Sequence, residues 1–456
     1  MFPPHSATEA SRHLTGRDMQ RPCVLVIAFA CCPPHGKRFS GGEDVLGWNL
    51  VKQISRFCET WVLTHAKNRQ DIEDALRDEA HHAVHFEYVS LPAWLWPLEH
   101  LQGALQLYAY LWQLKAYFTA KRLLHQHRFA LAHQLTYAND WMASFIGALL
   151  PIPYLRGPAG GAHRVPLELL SEFTMVGRMS EHLRSLMQWI LRRDPFFRRG
   201  HERAMKLLVC NQEAMEALPS VWRQKALLFP VNGISEEDLA LLERSPIPQR
   251  AEGFRVLSAG KLIRLKGFGL GMKAFKRLSD RHPDARLEII GDGPDRRYLK
   301  SAIKSMGLED TVTLTPWKAR DQFLVALRRC DVFLFPSLRD GGGAVVVEAM
   351  AAGKPVVCFD LGGPAVHVTD ACGMKVNPRH PSQAINDLAE ALETLYRQSE
   401  LRAQLGAAAR ERVLSHYHWD RLGERLREIY SEVLTQRGNR DEMSQAAILL
   451  ETSAHA

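Results

Sequence analysis

The segment DVFLFPSLRDGGGAVVVEAMAAGKPVVCFD, residues 331–360, decides the fold and points to a site. Its pattern predicts a buried strand, a glycine-rich loop and a helix that starts near Ala344, followed by a second apolar strand. Asp340 in the loop and Glu348 in the first turns bracket the helix start, where free N–H groups favour phosphate and carboxylates can accept hydrogen bonds from sugar hydroxyls. Two acids could instead complement the helix dipole alone, but the run Gly341-Gly342-Gly343 is not needed for that.

Short β-rich runs with helical stretches between them recur on both sides of residue 235, which predicts parallel sheets covered on both faces. The two series are separated by residues 235–253, which are acidic, then contain two prolines, and have no strand pattern. We therefore predict an α/β protein of two Rossmann-like, doubly wound domains that face each other across a cleft. The predicted strands are 23–30, 60–64, 85–91, 129–136, 153–156 and 206–211 in the first series, and 254–259, 286–290, 311–315, 331–336 and 355–359 in the second.

The composition is that of a globular chain, with 456 residues of which 46% are hydrophobic and 24% charged. The formal net charge of +8 favours anionic partners without choosing among them. The eight cysteines show neither a C-x-x-C pair nor zinc spacing, which indicates small buried thiols in a reducing cytoplasm. Residues 1–20 lack the apolar core of a signal peptide. Charged residues interrupt the apolar stretch 92–118, so we expect no membrane span.

Two further loops could hold phosphate. The pair Gly41-Gly42 follows the first strand and opens a helix, where glycine lets an anion approach the backbone, although a plain turn would also explain it. Lys261 and Lys266 follow the first strand of the second series among several glycines and could grip a pyrophosphate. A merely charged loop is the alternative. The turn GDGP, residues 291–294, ends the next strand.

Together these motifs resemble those of the retaining GT-B glycosyltransferases of family 4. That family carries a G-R-L-x-x-x-K-G element, a G-x-G-P turn and an E-x7-E motif, and all three occur here in order over the second series. With the N-terminal Gly-Gly loop, the run VNGI at 231–234 and HYHW near the C-terminus, the resemblance covers residues 23–433. It implies a GT-B fold and the transfer of a hexosyl group from a nucleotide-diphosphate sugar to an acceptor hydroxyl, in polysaccharide or glycolipid biosynthesis.

The resemblance also implies roles for single residues in donor binding and catalysis. Lys261 and Lys266 would hold the diphosphate, and Glu348 would hold the ribose. His133, in the strand-end segment AHQLTYAND, would contact the donor sugar near the reacting carbon, although one histidine after a strand is by itself more often a core residue. The donor sugar hydroxyls would bind Asp340 and the backbone amides that follow it, which are those of Gly341, Gly342, Gly343 and Ala344. The N-terminal pair Gly41 and Gly42 would cover the phosphates.

Two positions depart from the family pattern. Lys261 replaces the usual arginine and loses its bidentate fork, and Asp340 replaces the usual first glutamate and is shorter by one methylene. The chain has no D-x-D motif. We therefore expect a metal-independent enzyme with no cofactor, in which lysines and a helix start stabilise the leaving diphosphate. In retaining relatives the acceptor hydroxyl is thought to attack from the face that the diphosphate leaves.

The acceptor side is predicted from position and charge. The segment 151–161 resembles a G-P-x-G-G loop of one branch of the family, and Arg156 within it and Arg164 just after it are candidate contacts for a sugar or lipid-linked sugar acceptor. Residues 176–206 hold eight Arg/Lys against three Asp/Glu beside an apolar helical stripe. A core-packed helix with a solvated basic face is one interpretation, and peripheral docking on an anionic membrane beside the aromatic stretch 94–112 is the other. No nucleic-acid module accompanies the charge.

The predicted organisation is a disordered tail at 1–20, an acceptor-side domain at 21–234, a donor domain at 235–415, a helix at 416–436 that returns to the first domain, and a disordered tail at 437–456. The location is cytoplasmic, on the inner face of the plasma membrane if the basic segment docks there. A catalytically silent sugar-nucleotide binder and a GT-B nucleotide-sugar epimerase are the alternative functions.

Overall fold

A computed structural model describes residues 21–34, 42–78, 83–100, 105–244 and 253–453 of the chain. Its strands form two sheets in which every pair is parallel. The strand order is 3-2-1-4-5-6-7 in the first sheet and 10-9-8-11-12-13 in the second. The strands are β1 Cys23–Ile27, β2 Glu59–His65, β3 Val84–Val89, β4 Leu131–Gln134, β5 Tyr154–Ala159, β6 Ala204–Val209, β7 Ala226–Leu228, β8 Arg255–Ala259, β9 Arg286–Ile290, β10 Val312–Thr315, β11 Val332–Phe335, β12 Val356–Phe359 and β13 Gly373–Val376.

Helices connect successive strands and cover both faces of each sheet, together with four short 3-10 turns. They are α1 Gly42–Ser55, α2 Arg69–Asp78, α3 Pro97–His100, α4 Leu105–Leu124, α5 Phe145–Leu149, α6 Met175–Leu191, α7 Pro195–Arg203, α8 Gln212–Glu216, α9 Ser220–Arg223, α10 Glu236–Arg244, α11 Phe268–Ser279, α12 Arg296–Ser305, α13 Arg320–Arg329, α14 Ala344–Ala351, α15 Gly362–His367, α16 Pro381–Arg397, α17 Ser399–His416 and α18 Trp419–Ser453.

The strands are apolar on both faces because each sheet is sandwiched between helices. In β1, Val24 and Val26 belong to the core under α1 and α18, whereas Leu25 and Ile27 belong to the core under α4. Side chains alternate between the faces of a strand, so a run such as CVLVI serves two cores at once. The strand order reverses beside β1 in the first sheet and beside β8 in the second, and the crevices at these points open at the carboxyl ends of the strands.

The chain crosses between the two sheets twice, and the crossings lie side by side. Ile234 forms a parallel bridge with His418, and Gly233 lies against the ring of Trp419, so closely that an added Cβ would be 2.6 Å from it. After this crossing α18 packs on the first sheet beside α1, where the Gln53 amide donates to Asp420 at 3.1 Å. The C-terminal helix therefore returns to the first domain.

The sequence-based assignment differs from the structure in three places. It omitted β7 and β13, edge strands of three and four residues that are too short to show a period. It ended the returning helix at 436 and called 437–456 a disordered tail, whereas the backbone of α18 is helical to Ser453. Residues 441–451 are rich in strong helix formers and contain no proline, which explains this extension. The tail predicted at 1–20 lies outside the described residues.

Candidate active site

The loop between β11 and α14 is organised by its own aspartate. One oxygen of the Asp340 carboxylate accepts hydrogen bonds from the N–H groups of Gly342 at 3.1 Å and Gly343 at 2.9 Å. Gly343 has φ +72°, a left-handed conformation that favours glycine, and it turns the chain into α14 at Ala344. The N–H of Val346 donates to the carbonyl of Gly343 at 2.9 Å. The N–H groups of Ala344 and Val345 precede it at the helix start, where no carbonyl of the same helix can accept from them, so they can meet an anion.

The other Asp340 oxygen pairs with the Lys266 ammonium, which also lies 5.4 Å from the centre of the Phe335 ring. Burial opposes the charge on Asp340, but Lys266 and the two glycine N–H groups outweigh it and lower the pKa of the carboxyl. Asp340 is therefore ionised at neutral pH. A lysine and a helix start thus lie together at the carboxyl end of β11.

The loop that carries the two lysines is packed against the aspartate loop. Gly267, with φ +64°, approaches the chain after β11 so closely that an added Cβ would lie 1.9 Å from the carbonyl oxygen of Pro336. The N–H of Leu338 donates to the carbonyl of Leu265 at 2.8 Å. Lys261 is exposed at the carboxyl end of β8, in the same loop. The structure therefore places both predicted lysines at the edge of the sheet where α14 begins.

Glu348 belongs to a half-buried ion-pair network that the sequence did not indicate. Its Oε1 accepts from Arg320 at the start of α13, and the same guanidinium bonds to Asp238 on α10 at 2.9 Å. Burial opposes the charge on Arg320, but the two carboxylates outweigh it and raise the pKa of the guanidinium. Arg320 thus holds Glu348 in place in the first turns of α14, which begins at the same edge of the sheet as the loop that carries Lys261 and Lys266.

A histidine from the first domain faces this site. His163 lies in the loop after β5, and an added Cβ at Gly341 would be 3.6 Å from its Cε1. Burial, with the positive charges of Arg184 and Arg339, lowers the pKa of His163 to about 4, so the ring is neutral at pH 7. Its Nδ1 is buried and has no hydrogen-bond partner among the described residues. Asp140 fixes this loop by accepting a hydrogen bond from the N–H of Ala162 at 2.5 Å.

His133, the histidine predicted to contact the donor sugar, lies in the core instead. Its side chain is 0% exposed, and its ring nitrogens bond to the Tyr430 hydroxyl at 2.8 Å and the Gly157 carbonyl at 2.7 Å. Burial lowers the pKa of His133 to about 3. Both nitrogens are thus satisfied by the protein, and the predicted contact with the sugar is wrong. His163, in contrast, lies beside Gly341 of the loop that carries Asp340.

Arg156 is likewise structural, which corrects its assignment to the acceptor. The guanidinium is fully buried and donates to the backbone carbonyls of Asn139 at 2.7 Å and Met142 at 2.6 Å, so it ties down the loop after β4. Arg164, the other predicted acceptor contact, is exposed next to His163.

The predicted N-terminal glycine pair is only half described. Gly41 lies outside the described residues. Gly42 starts α1, and an added Cβ there would meet nothing within 4 Å. The close approach on this helix is at Gly47 instead, where a Cβ would lie 2.1 Å from the carbonyl oxygen of Ala30.

The two domains touch through polar contacts around the site. Glu213 in the first turn of α8 accepts from the N–H of Gly362 at 2.6 Å, and Glu181 on α6 pairs with Arg339, the neighbour of Asp340. An added Cβ at Gly342 would lie 2.3 Å from Nδ2 of Asn232, so a side chain there would collide with the first domain. The aspartate loop is therefore enclosed by both walls of the cleft.

The fold and one domain can be placed among known proteins. The two facing Rossmann-like sheets form a GT-B fold, and residues 243–412 match the family described as Glycosyl transferases group 1. The sucrose-phosphate synthase of Thermosynechococcus elongatus has a TM-score of 0.60 at 17% identity, covering 91% of this chain and 100% of its own. The Anabaena HepE protein, solved in complex with UDP-glucose, has a TM-score of 0.55 at 17% identity, covering 90% and 99%. Residues 243–412, in the second domain, thus match the family that the resemblance implied.

Sequence similarity to characterised proteins is confined to part of the chain. The D-inositol 3-phosphate glycosyltransferase of Paenarthrobacter aurescens (strain TC1) is 35% identical over 191 residues, which are 41% of this chain and 46% of that protein. The 2-deoxystreptamine glucosyltransferase of Streptomyces kanamyceticus is 28% identical over 203 residues, or 44% and 52%. The chain thus matches about half the length of these relatives.

Among the described residues there is no group of three His, Cys, Asp or Glu placed to hold a metal ion, and no helix is long and apolar enough to cross a membrane.

The sequence analysis did not identify His163 and Arg320 as residues of the candidate site. The signal for His163 was its position two residues after the glycine pair of the predicted cleft loop. Arg320 had no comparable signal, because its partners Asp238 and Glu348 are brought to it only by the fold.

Proposed function

We propose that the protein is a retaining glycosyltransferase that moves a hexosyl group from a nucleotide-diphosphate sugar to an acceptor hydroxyl. The observation that carries this proposal is the joint placement of Lys266, Asp340 and the start of α14 at one sheet edge, facing His163 across the cleft. The family match of residues 243–412 and the fold similarity to a protein solved with UDP-glucose support it.

In this reaction the bond between the anomeric carbon of the sugar and the diphosphate oxygen breaks, and its electron pair stays on the diphosphate. Lys266, Lys261 and the free N–H groups at the start of α14 stabilise the charge that develops there. The acceptor hydroxyl attacks from the face that the diphosphate leaves, and its proton passes to a phosphate oxygen. Glu348 holds the ribose of the nucleotide from its fixed position beside Arg320.

His163 and Asp340 act on the sugar in this proposal. The imidazole of His163 is neutral, and its Nδ1 has no hydrogen-bond partner among the described residues, so this nitrogen can form a hydrogen bond with a sugar hydroxyl. Asp340 already holds two amides of its own loop, so it is a rigid acceptor for sugar hydroxyls rather than a mobile one. Charge stabilisation by lysines and a helix start, in a chain without a D-x-D motif, supports a reaction that needs neither a metal ion nor a cofactor.

We also propose that the acceptor is a sugar or a lipid-linked sugar of polysaccharide or glycolipid biosynthesis, reached from the cytoplasm at the inner face of the plasma membrane. The exposed Arg164 beside His163 lies on the acceptor side of the cleft. Arg193 and Arg198, both exposed in the basic segment 176–206, support the peripheral location.

A panel of UDP-, GDP- and ADP-sugars tests the donor assignment. A true donor should raise the melting temperature, since ligand at a hundred times its Kd adds about 2.7 kcal/mol to stability, and it should be hydrolysed or transferred with release of the nucleoside diphosphate. Lys266→Ala should lower turnover by about 10² to 10³, whereas Lys276→Ala, at a half-buried lysine of α11 that pairs with Asp280, should not. Stabilisation without turnover would favour a silent binder, and a changed sugar nucleotide without release would favour an epimerase.

A further inference from the structure

Helix α6 directs its polar side towards the protein and its apolar side towards the surface, which is the reverse of an ordinary surface helix. The side chains on its polar side face the protein: Arg184 and Gln188 both donate to the carbonyl of Gly161, and Arg192 donates to the carbonyl of Asp140. Glu181 on the same side pairs with Arg339. The apolar stripe that would pack in the core of a typical surface helix is therefore directed away from the protein.

The outer face of α6 consists of eight large apolar side chains. Each is between 44% and 78% exposed, and at 100° per residue they fall within an arc of about 160°. Isolated exposed apolar residues are common, but a contiguous row of this length marks an interaction surface. The row is Met175, Val176, Met179, Leu183, Leu186, Met187, Trp189 and Ile190.

A second exposed apolar strip lies beside the end of α6. Tyr110 on α4 donates to Asp194, directly after α6, at 2.7 Å, and the Phe145 ring links Tyr110 to Phe196. Leu107, Leu114 and Phe118 are exposed on the same helix α4, and the two tryptophans before it, Trp94 and Trp96, are exposed as well. Tyr108 and Trp112, which the sequence suggested as part of this surface, are fully buried and do not contribute.

Basic side chains stand at the junction of the two strips. Arg193 stacks on Trp189 with its guanidinium carbon 3.5 Å from the ring centre, and Arg198 is exposed on α7. The nearby carboxylate of Asp194 is engaged by Tyr110 and by the N–H groups at the start of α7. The junction thus presents positive charge beside tryptophan, an arrangement suited to the boundary between acyl chains and anionic headgroups.

We propose that the outer face of α6, with the adjoining strip of α4, docks on an anionic phospholipid membrane. The charge favours an anionic lipid surface, because Arg193 and Arg198 are exposed between two exposed apolar strips and are complementary to anionic headgroups. This deepens the peripheral location proposed above. It does not depend on glycosyl transfer, so vesicle binding and donor turnover are measured separately.

Sedimentation with vesicles tests the proposal. The full-length protein should pellet with vesicles of phosphatidylglycerol and phosphatidylcholine at low salt, pellet less at high salt, and stay in the supernatant with phosphatidylcholine alone. Leu183→Asp with Leu186→Asp should remove binding, because it places two carboxylates on the apolar face that contacts the lipid. The variant should still fold, because both side chains are exposed and lie outside the core. Leu414→Asp, at an exposed leucine of the donor domain, is the matched control and should bind as the wild type does.

The charge contribution is tested with Arg193→Gln plus Arg198→Gln. Arg192 and Arg199 are left unchanged, since both donate to backbone carbonyls and support the fold. The double variant should bind anionic vesicles about tenfold or more weakly, whereas Arg297→Gln plus Lys300→Gln on α12 should not. A wild-type protein that stays in the supernatant with every vesicle overturns the proposal. So does a dimer in solution that Leu183→Asp with Leu186→Asp dissociates.

Discussion

The Lys266 ammonium pairs with the Asp340 carboxylate at the start of α14, where the carboxylate also caps its own glycine loop. In the absence of a donor, Asp340 thus neutralises the lysine that we assign to the diphosphate. A bound diphosphate adds negative charge to this site, and Lys266 then serves two anions. Because Lys266 would pair with both Asp340 and the diphosphate, we expect its replacement to lower turnover more than any other substitution in the site.

Replacing Lys266 should lower turnover more than donor affinity, because its charge meets the negative charge that grows on the leaving diphosphate. We expect Lys266→Ala to reduce kcat by about 10² to 10³, as for loss of one preorganised electrostatic contact. Steady-state kinetics of Lys266→Ala and of the control Lys276→Ala, each compared with the wild type, measures kcat and KM. A defect confined to KM would assign Lys266 to ground-state binding only.

Glu348→Ala should weaken binding of the nucleoside diphosphate. A hydrogen bond from a ribose hydroxyl to a carboxylate contributes about 1.5 to 3 kcal/mol, which corresponds to about 10- to 150-fold in Kd. Calorimetric titration is the measurement, and Glu390→Ala, an exposed glutamate on α16, is the control. Unchanged affinity in a folded variant would leave Glu348 with only its structural pairing to Arg320.

His163→Ala should reduce kcat while the protein remains folded, and His125→Ala, at an exposed histidine, should not. Because the pKa of His163 is lowered to about 4, this ring stays neutral down to well below pH 6. The acid limb of kcat/KM that His163 contributes should therefore lie near pH 4 rather than near 6.5. A kcat equal to that of the wild type would remove His163 from the reaction.

His133 should control acid stability instead of activity. Its folded-state pKa of about 3 lies below the unfolded value of 6.5, so the unfolded chain binds the proton more tightly. Stability is therefore lost as the pH falls from 6.5 towards 3, with a slope of about 1.4 kcal/mol per pH unit from this one group. His133→Gln removes the titration, and its unfolding free energy should depend less on pH. Parallel curves for the two proteins would contradict the assignment.

The two histidines show what the sequence could and could not predict. The strand, the loop and the fold follow from local patterns, but whether His133 faces the cleft depends on a partner 297 residues away, Tyr430, and on the side of β4 that α18 covers. Likewise the apolar period of α6 correctly predicted an apolar stripe, but it did not predict that the stripe faces the surface instead of the core. That direction is set by carbonyl groups of distant loops, such as that of Gly161, which bind the polar side of the helix.

The placement of the loop between β11 and α14 was predicted from the sequence, because its residues are close together in the chain. Asp340, Glu348 and the three glycines lie within nine residues, and the two lysines follow the neighbouring strand, so parallel-sheet geometry brings them together. What the pattern missed is the pairing that the loop makes with itself. The short side chain of Asp340 reaches two amides of its own turn, and this contact appears only when the backbone of the turn is known.

The most direct test of the account is proton NMR of the purified protein with its stabilising sugar nucleotide and a sugar acceptor. We expect a new glycoside whose anomeric configuration equals that of the donor, together with one equivalent of free nucleoside diphosphate. Lys266→Ala should suppress both signals. An inverted anomeric centre would contradict the retaining mechanism, and an unchanged spectrum despite donor binding would contradict glycosyl transfer itself.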